Sequence, residues 1–223
     1  LPMAWPGLVR ADGQVMVGLQ TTTGSGDVSR DVAETLQRAL AAEPGSPVPP
    51  LGLPGEGPRL QDLLDLSAPF TVTVHEGFGF WIDGVGEVSD EVEASLERAD
   101  AAVVPTRRLT GVEAAYWCRI GSKEHLRWVL PHEEDRALDA FARLHVARAD
   151  TLGDGTRFVG SFRAHGLLVP VWDLVPGTEA QDVEAPAAAW LARFEEAYAD
   201  TTPLQDAARR ARAGLANRQL TLR

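Results

Sequence analysis

The sequence predicts an α+β fold of repeated β-hairpin–helix units, with antiparallel sheets that carry their helices on one face. Three observations predict it. Residues 24–39, "GSGDVSRDVAETLQRA", align without gaps on residues 84–99, "GVGEVSDEVEASLERA", and eight of the sixteen positions are identical. "WPGLVRADGQVMV" at Trp5–Val17 shares its Gly, its Arg-Ala and its turn Gly with "FVGSFRAHGLLVP" at Phe158–Pro170. Pairs of strand-like runs are followed by helical stripes, an order that folds as hairpins packed on helices. The expectation is two pseudo-equivalent halves, residues 1–105 and 106–223.

The first unit runs from about Met3 to Glu43. Asp12-Gly13 between alternating apolar runs signals a hairpin whose two turn residues both need positive φ. A Gly-rich approach, Ser29 and first-turn acids then open a helix with Val32, Leu36 and Leu40 on one face. "PGSPVPPLGLPGEGP", Pro44–Pro58, excludes helix and interior strand and reads as a long loop. The second unit spans Phe70 to Asp100, its helix marked by Val92 and Leu96.

A third unit covers Val112 to Arg148, with strands "AAYWCRI" and "HLRWVLP" around a four-residue loop, Gly121–Glu124, and a helix after Pro131. That loop would set Trp117 opposite Trp128, Cys118 opposite Arg127 and Ile120 opposite His125. The fourth unit begins at Thr156, turns at His165-Gly166 and ends in a helix from Pro186 to Ala199. There Trp190, Phe194 and Tyr198 fall on one stripe. A last helical segment runs from Leu204 to about Gly214.

Bulk properties narrow the function classes. A net charge of −11 repels phosphate backbones and disfavours nucleic acid or an anionic membrane as partner. The single cysteine, Cys118, excludes an internal disulfide and a multi-Cys zinc site and fits a reducing cytoplasm. No apolar run reaches the roughly eighteen residues that a membrane-spanning helix needs. Leu1 in place of an initiator Met implies a native N-terminal segment upstream.

The segment that looks most like chemistry is "LRWVLPHEEDRALDAFARLH", Leu126–His145. A zinc-protease helix needs His-Glu-x-x-His, so that two imidazoles share one face. Here His132-Glu133 is followed by Arg136 where the second His belongs, and the acids Glu133, Glu134 and Asp135 suit a first helical turn. Cys118, in an alternating strand, would need an activating base; His125 across the hairpin is the candidate, with Arg119 and Arg127 near enough to lower a thiol pKa. Trp117 and Trp128 read first as core packing, and otherwise as the floor of a groove where Arg119 or Arg127 meets an anion. The expected pocket is therefore this hairpin and its exit: Trp117, Cys118, Arg119, His125, Arg127, Trp128, His132 and Glu133. The Gly-x-Gly before each repeated helix is followed by Asp27 or Glu87, which argues against a phosphate cradle. No motif calls for a cofactor or a metal. The stretch from Leu204 to Arg223 reverses the sign of the rest, with Arg209, Arg210, Arg212, Arg218 and Arg223 against Asp206 alone. It suits docking on an acidic surface or contact with RNA.

"HLRWVLPHEEDRALDAFARLH", "FRAHGLLVPVWDL" and the opening "LPMAWPGLVRADG" resemble an actinobacterial family of proteins with a domain of unknown function, over the chain from its first hairpin to about Leu174. Some members carry the label preprotein translocase subunit, but this sequence has no nucleotide-binding loop for a motor. The resemblance implies a cytoplasmic protein, a basic head ahead of the first hairpin in longer members, and no catalytic residues to carry over.

The expected function is that of a non-catalytic protein that binds an unknown protein or small ligand. Duplicated α+β units make grooves, and six Trp residues supply contact area. A hydrolase or transferase using Cys118/His125 or His132/Glu133 is the second expectation. A nucleic-acid- or ribosome-associated factor using the Arg-rich end is the third. Oligomeric state is not legible in the sequence.

Overall fold

The structure is a computed structural model and describes residues 6–19, 25–49, 52, 55–84, 87–216 and 220–221. Met3, Trp5, Gly24, Val85, Gly86, Arg218 and Arg223, on which parts of the sequence reading fall, lie outside the described residues. The chain divides into two units, residues 1–103 and 104–223.

In the first unit, strands β1 (Gly7–Val9), β2 (Val15–Val17) and β3 (Pro47–Val48) form a sheet in the order β2-β1-β3. The β1–β2 loop is Ala11–Gly13. Arg10 N donates to Gln14 O at 2.8 Å, and only Gly13 has positive φ, at 87°. The expected two-residue turn is thus corrected to a three-residue one with its glycine left-handed. Pro47 takes an edge strand, the sheet position open to a residue without an N–H. Helix α1 (Val28–Leu40) is capped by Asp27, which accepts from Arg30 N, and buries Val32, Ala33, Thr35 and Ala39. Leu40, expected on the buried stripe, is exposed. The small residues face inward because the helix lies close to β1, where a Cβ on Gly7 would meet Thr35 Cγ2 at 3.3 Å. The core here is small: Val9, Ala39 and Val48, with Val15 and Ala42 against them.

Farther along lie helix α2 (Leu60–Leu63), a 3₁₀ turn at Gly79–Trp81 and helix α3 (Asp90–Asp100). Among the described residues between Pro49 and Thr106 there is no strand, so the hairpin expected from Phe70 onward is absent. "TVTV" alternates as a strand would, but the glycine-rich "GFGFW" folds into the 3₁₀ turn, where Phe78 N donates to Asp100 Oδ1 at 2.7 Å. The aligned segments 24–39 and 84–99 also part ways. Helix α1 is capped at Asp27, α3 two aligned positions later at Ser89, and α3 buries no side chain. The architecture is α+β, but the two units are unlike each other.

The second unit holds strands β4 (Thr106–Arg108), β5 (Ala115–Ile120), β6 (Lys123–Trp128), β7 (Arg157–Ala164), β8 (Leu167–Asp173) and β9 (Leu220–Thr221). Their order is β4-β5-β6-β8-β7-β9, antiparallel except for the β7–β9 pair. The β5–β6 turn is Gly121-Ser122, since Ile120 pairs with Lys123. Gly121 has φ 60° and Ser122 does not share the positive sign, the pattern of a II′ turn with glycine first. This tight turn corrects the expected four-residue loop and slides the register by two. Trp117 pairs with Leu126, Cys118 with His125, and Trp128 with Ala115. His165-Gly166, by contrast, is the two-residue turn with both φ positive, at 51° and 82°.

Helices α4 (Glu134–Val146), α5 (Ala180–Ala199) and α6 (Asp206–Ala216) complete the unit. One core joins them to the sheet, most of its helix side coming from the first two. Trp172 and Trp190 meet edge-on at 4.8 Å, Trp190 stacks on Phe194 at 5.0 Å, and Phe141 lies 5.4 Å from both Trp190 and Phe194. Helix α5 begins at Ala180 rather than Pro186, because Glu179 and Asp182 form its N-terminal cap and Pro186 is taken into the helix. Helix α6 packs on α4, with Arg212 paired to Asp135 and Asp139 and with Leu215 in the core. That part of the Arg-rich end is bound to the chain's own acids.

Candidate binding face of the C-terminal sheet

Side chains alternate across a sheet, so the strand pairing sorts the candidate residues onto two faces. Every sheet residue of the core that meets the helices belongs to one face: Ala115, Trp117, Leu126, Trp128, Leu168 and Trp172. Trp117 and Trp128 are therefore core. The Trp128 ring packs 5.4 Å from Trp190, and Trp117 Nε1 donates to Thr178 O at 2.8 Å. Arg119 lies on this side as well, its guanidinium 5.1 Å from the Trp117 ring centre and 3.0 Å from each of Glu124 and Glu179. Those two carboxylates raise its pKa, and they occupy the charge that an anionic ligand would use.

The opposite face contributes nothing to that core. Two rows cross it. Thr106, Cys118, His125, Asp173 and Arg157 are cross-strand neighbours in one, and Arg108, Tyr116, Arg127, Val171 and Gly160 in the next. Phe162 and Val169, paired on β7 and β8, follow. Cys118 is buried, and burial pushes its thiol pKa up against the smaller opposing pull of Arg127. His125 Nδ1 lies 3.1 Å from Asp173 Oδ1, out of line for a hydrogen bond. Asp173 is held below the usual carboxylate range, first by its hydrogen bond from Arg157. A Cys–His–Asp order is thus present, but the thiol stays protonated, which is the opposite of an activated nucleophile.

Arg127 stands apart from the other arginines of this sheet's interior. It is half-buried, its Nε has no hydrogen-bond partner, and its guanidinium rests 5.8 Å from the centre of the Phe162 ring. No carboxylate among the described residues is within ion-pair distance of it.

His132 and Glu133 lie elsewhere. His132 Nε2 contacts Glu195 Oε1 at 3.0 Å, with the ring set edge-on to Phe194 and Tyr198 of α5. Glu133 is the cap of α4 rather than part of its first turn. It accepts from Arg136 N at 2.8 Å and Asp135 N at 3.0 Å, and these backbone donors lower its pKa. The eight expected site residues therefore separate: Trp117, Trp128 and Arg119 on the helix side, Cys118, His125 and Arg127 on the open side, and His132 with Glu133 at the α4–α5 contact. Sequence reasoning missed Tyr116, Phe162, Arg108 and Asp173. Alternation places Tyr116 beside Cys118, but the other three join the face only through strand order and register.

No group of three or more His, Cys, Asp or Glu among the described residues is arranged to hold a metal. No helix among them is long and apolar enough to cross a membrane. A recess of about 430 Å³ lies in the first unit against α1, lined by Arg30, Glu34, Arg38 and Gly55–Pro58. Its arginines are paired, Arg38 with Glu34 at 2.6 Å and Arg30 with Asp27 at 3.4 Å. Comparison with curated proteins and with solved structures gives no match. A family described as a family of unknown function, DUF5926, matches residues 1–223, and the chain belongs to that family.

Proposed function

We propose that this protein is a non-catalytic binding protein that holds its partner against the open face of its C-terminal sheet. One observation carries the reading: Arg127, half-buried beside Phe162 and Tyr116, has no carboxylate partner among the described residues, on a face that takes no part in the core its own unit's helices build. A desolvated cation without a counter-charge is costly, and a ligand that supplies one offsets that cost. The actinobacterial and cytoplasmic setting implied by the resemblance is compatible with this role.

The row Cys118–His125–Asp173 favours a second reading, a thiol hydrolase or transferase. Alkylation separates the two. With burial raising its pKa, Cys118 in the native protein should react with iodoacetamide only at strongly alkaline pH, and readily at neutral pH once denatured. Rapid labelling of the native protein near pH 7 would overturn the non-catalytic reading and restore the enzyme. For the Arg-rich end, Arg212 is already paired within the chain, which weakens the nucleic-acid reading.

A further inference from the structure

Building on that binding face, we infer that its occupant is an acidic, extended polypeptide segment, carboxylates on the Arg108–Tyr116–Arg127 row and an apolar side chain beside Phe162. Arg108 and Arg127 flank Tyr116 on three successive strands. Neighbouring strands are about 4.8 Å apart, so the two arginine positions are separated by roughly 10 Å across the face. Neither has a carboxylate partner among the described residues. The carboxylate that this face does own, Asp173, sits in the adjacent row and is taken by Arg157 and His125.

Charge makes this patch an exception in the protein. Residues 104–223 carry sixteen Arg and Lys against sixteen Asp and Glu, so the whole net charge of −11 belongs to residues 1–103. A cationic row on the neutral unit selects an anion. Beside it the side chains are apolar, with half-buried Phe162 under the Arg127 guanidinium, Val171 half-buried and Val169 buried on the strand between them, and Leu167 exposed at the far end. This pairing of charges and apolar contact fits a peptide with acidic and apolar residues in alternation.

Two other anions fit less well. A nucleic acid gains its affinity by neutralising many phosphates, and two unpaired arginines in a chain of net charge −11 are too few for that. A small phosphorylated ligand needs a concave site to bury most of its surface, whereas the row runs across the flat of a sheet. An extended segment needs no cavity.

The test is selection of random twelve-residue peptides displayed on phage against the intact 223-residue chain. Recovered peptides should be enriched in Asp and Glu. As synthetic labelled peptides they should bind Arg127→Gln and Arg108→Gln at least tenfold more weakly, and weaken in high salt. Arg210→Gln, an exposed arginine off this face, should bind as the parent does, and near-UV circular dichroism checks that each variant keeps its tryptophan core. The inference is overturned if the recovered peptides show no acidic enrichment or ignore both substitutions. A labelled twelve-nucleotide single strand and inorganic phosphate are measured alongside. Tighter, Arg127-dependent binding of either overturns the peptide while keeping the binding face. If nothing bound depends on Arg127 or Arg108, both readings fall.

Discussion

Trp172 shows what a single residue does in the second unit. It is fully buried, lies edge-on to Trp190 at 4.8 Å and 5.4 Å from Phe158, and its Nε1 donates to Asp150 O at 2.8 Å. The indole therefore fills volume and satisfies a carbonyl at once. Trp172→Phe keeps much of the volume but leaves Asp150 O without its donor, for an expected loss of about 1–3 kcal/mol. Trp172→Ala removes both and should cost about 3–5 kcal/mol. Guanidinium unfolding of the parent and the two variants separates the two terms, and a Trp172→Phe variant as stable as the parent would show that the hydrogen bond contributes nothing. Residue chemistry of this kind is partly legible in the sequence. The stripe Trp190, Phe194 and Tyr198 can be read because helical spacing alone generates it. Arg127 and Arg119 cannot be told apart there, since both sit on one hairpin within two residues of a Trp. Only alternation plus pairing shows that one has two carboxylates and the other none among the described residues.

At the level of elements, sequence rules work where a local signal decides the outcome and fail where a competing cap or partner does. Three hairpins, β1–β2, β5–β6 and β7–β8, lie where turn residues and alternation place them. The hairpin expected from Phe70 rests on the repeat of residues 24–39 in 84–99, and a repeated helix start does not bring a paired strand with it. The register of β5–β6 escapes the sequence for a related reason. Gly121 can serve either a two- or a four-residue loop, and the cross-strand Trp pair that favours the longer one is replaced by packing of Trp128 on Trp190. For α5, proline reads as a start signal, but the acids at Glu179 and Asp182 begin the helix earlier and leave Pro186 inside it. There the ring removes the N–H that would bond Asp182 O and crowds the preceding turn. Pro186→Ala should restore that bond. Against an interior-proline cost of about 3 kcal/mol, less up to about 1 kcal/mol of unfolded-chain entropy regained, the expected gain is about 2 kcal/mol. A urea midpoint at or below that of the parent would show that the proline's cost is compensated by packing that the alanine loses.

Across the whole molecule, the two units differ in how they are held together. The second owns an aromatic core in which four of the six tryptophans, Trp117, Trp128, Trp172 and Trp190, are buried. Its loops are tied to its helices, as where Glu184 accepts from Thr110 N at 2.7 Å and Gly111 N at 2.8 Å. The first unit has three buried residues in its sheet core and a helix, α3, that buries none. It also holds sixteen acids against five arginines, and repulsion among them opposes compaction. Residues 104–223 should therefore fold alone, while residues 1–103 should not unfold as one cooperative body. The tryptophans report on this directly. The fragment 104–223 is expected to keep blue-shifted emission, a structured near-UV spectrum and a single cooperative transition in denaturant, because its four core indoles need nothing from the first unit. Red-shifted emission and a broad, non-cooperative transition in that fragment would mean that its core depends on residues 1–103. The open sheet face carrying Arg127 would then have to be read as part of a larger folding unit rather than as a surface free to receive a partner.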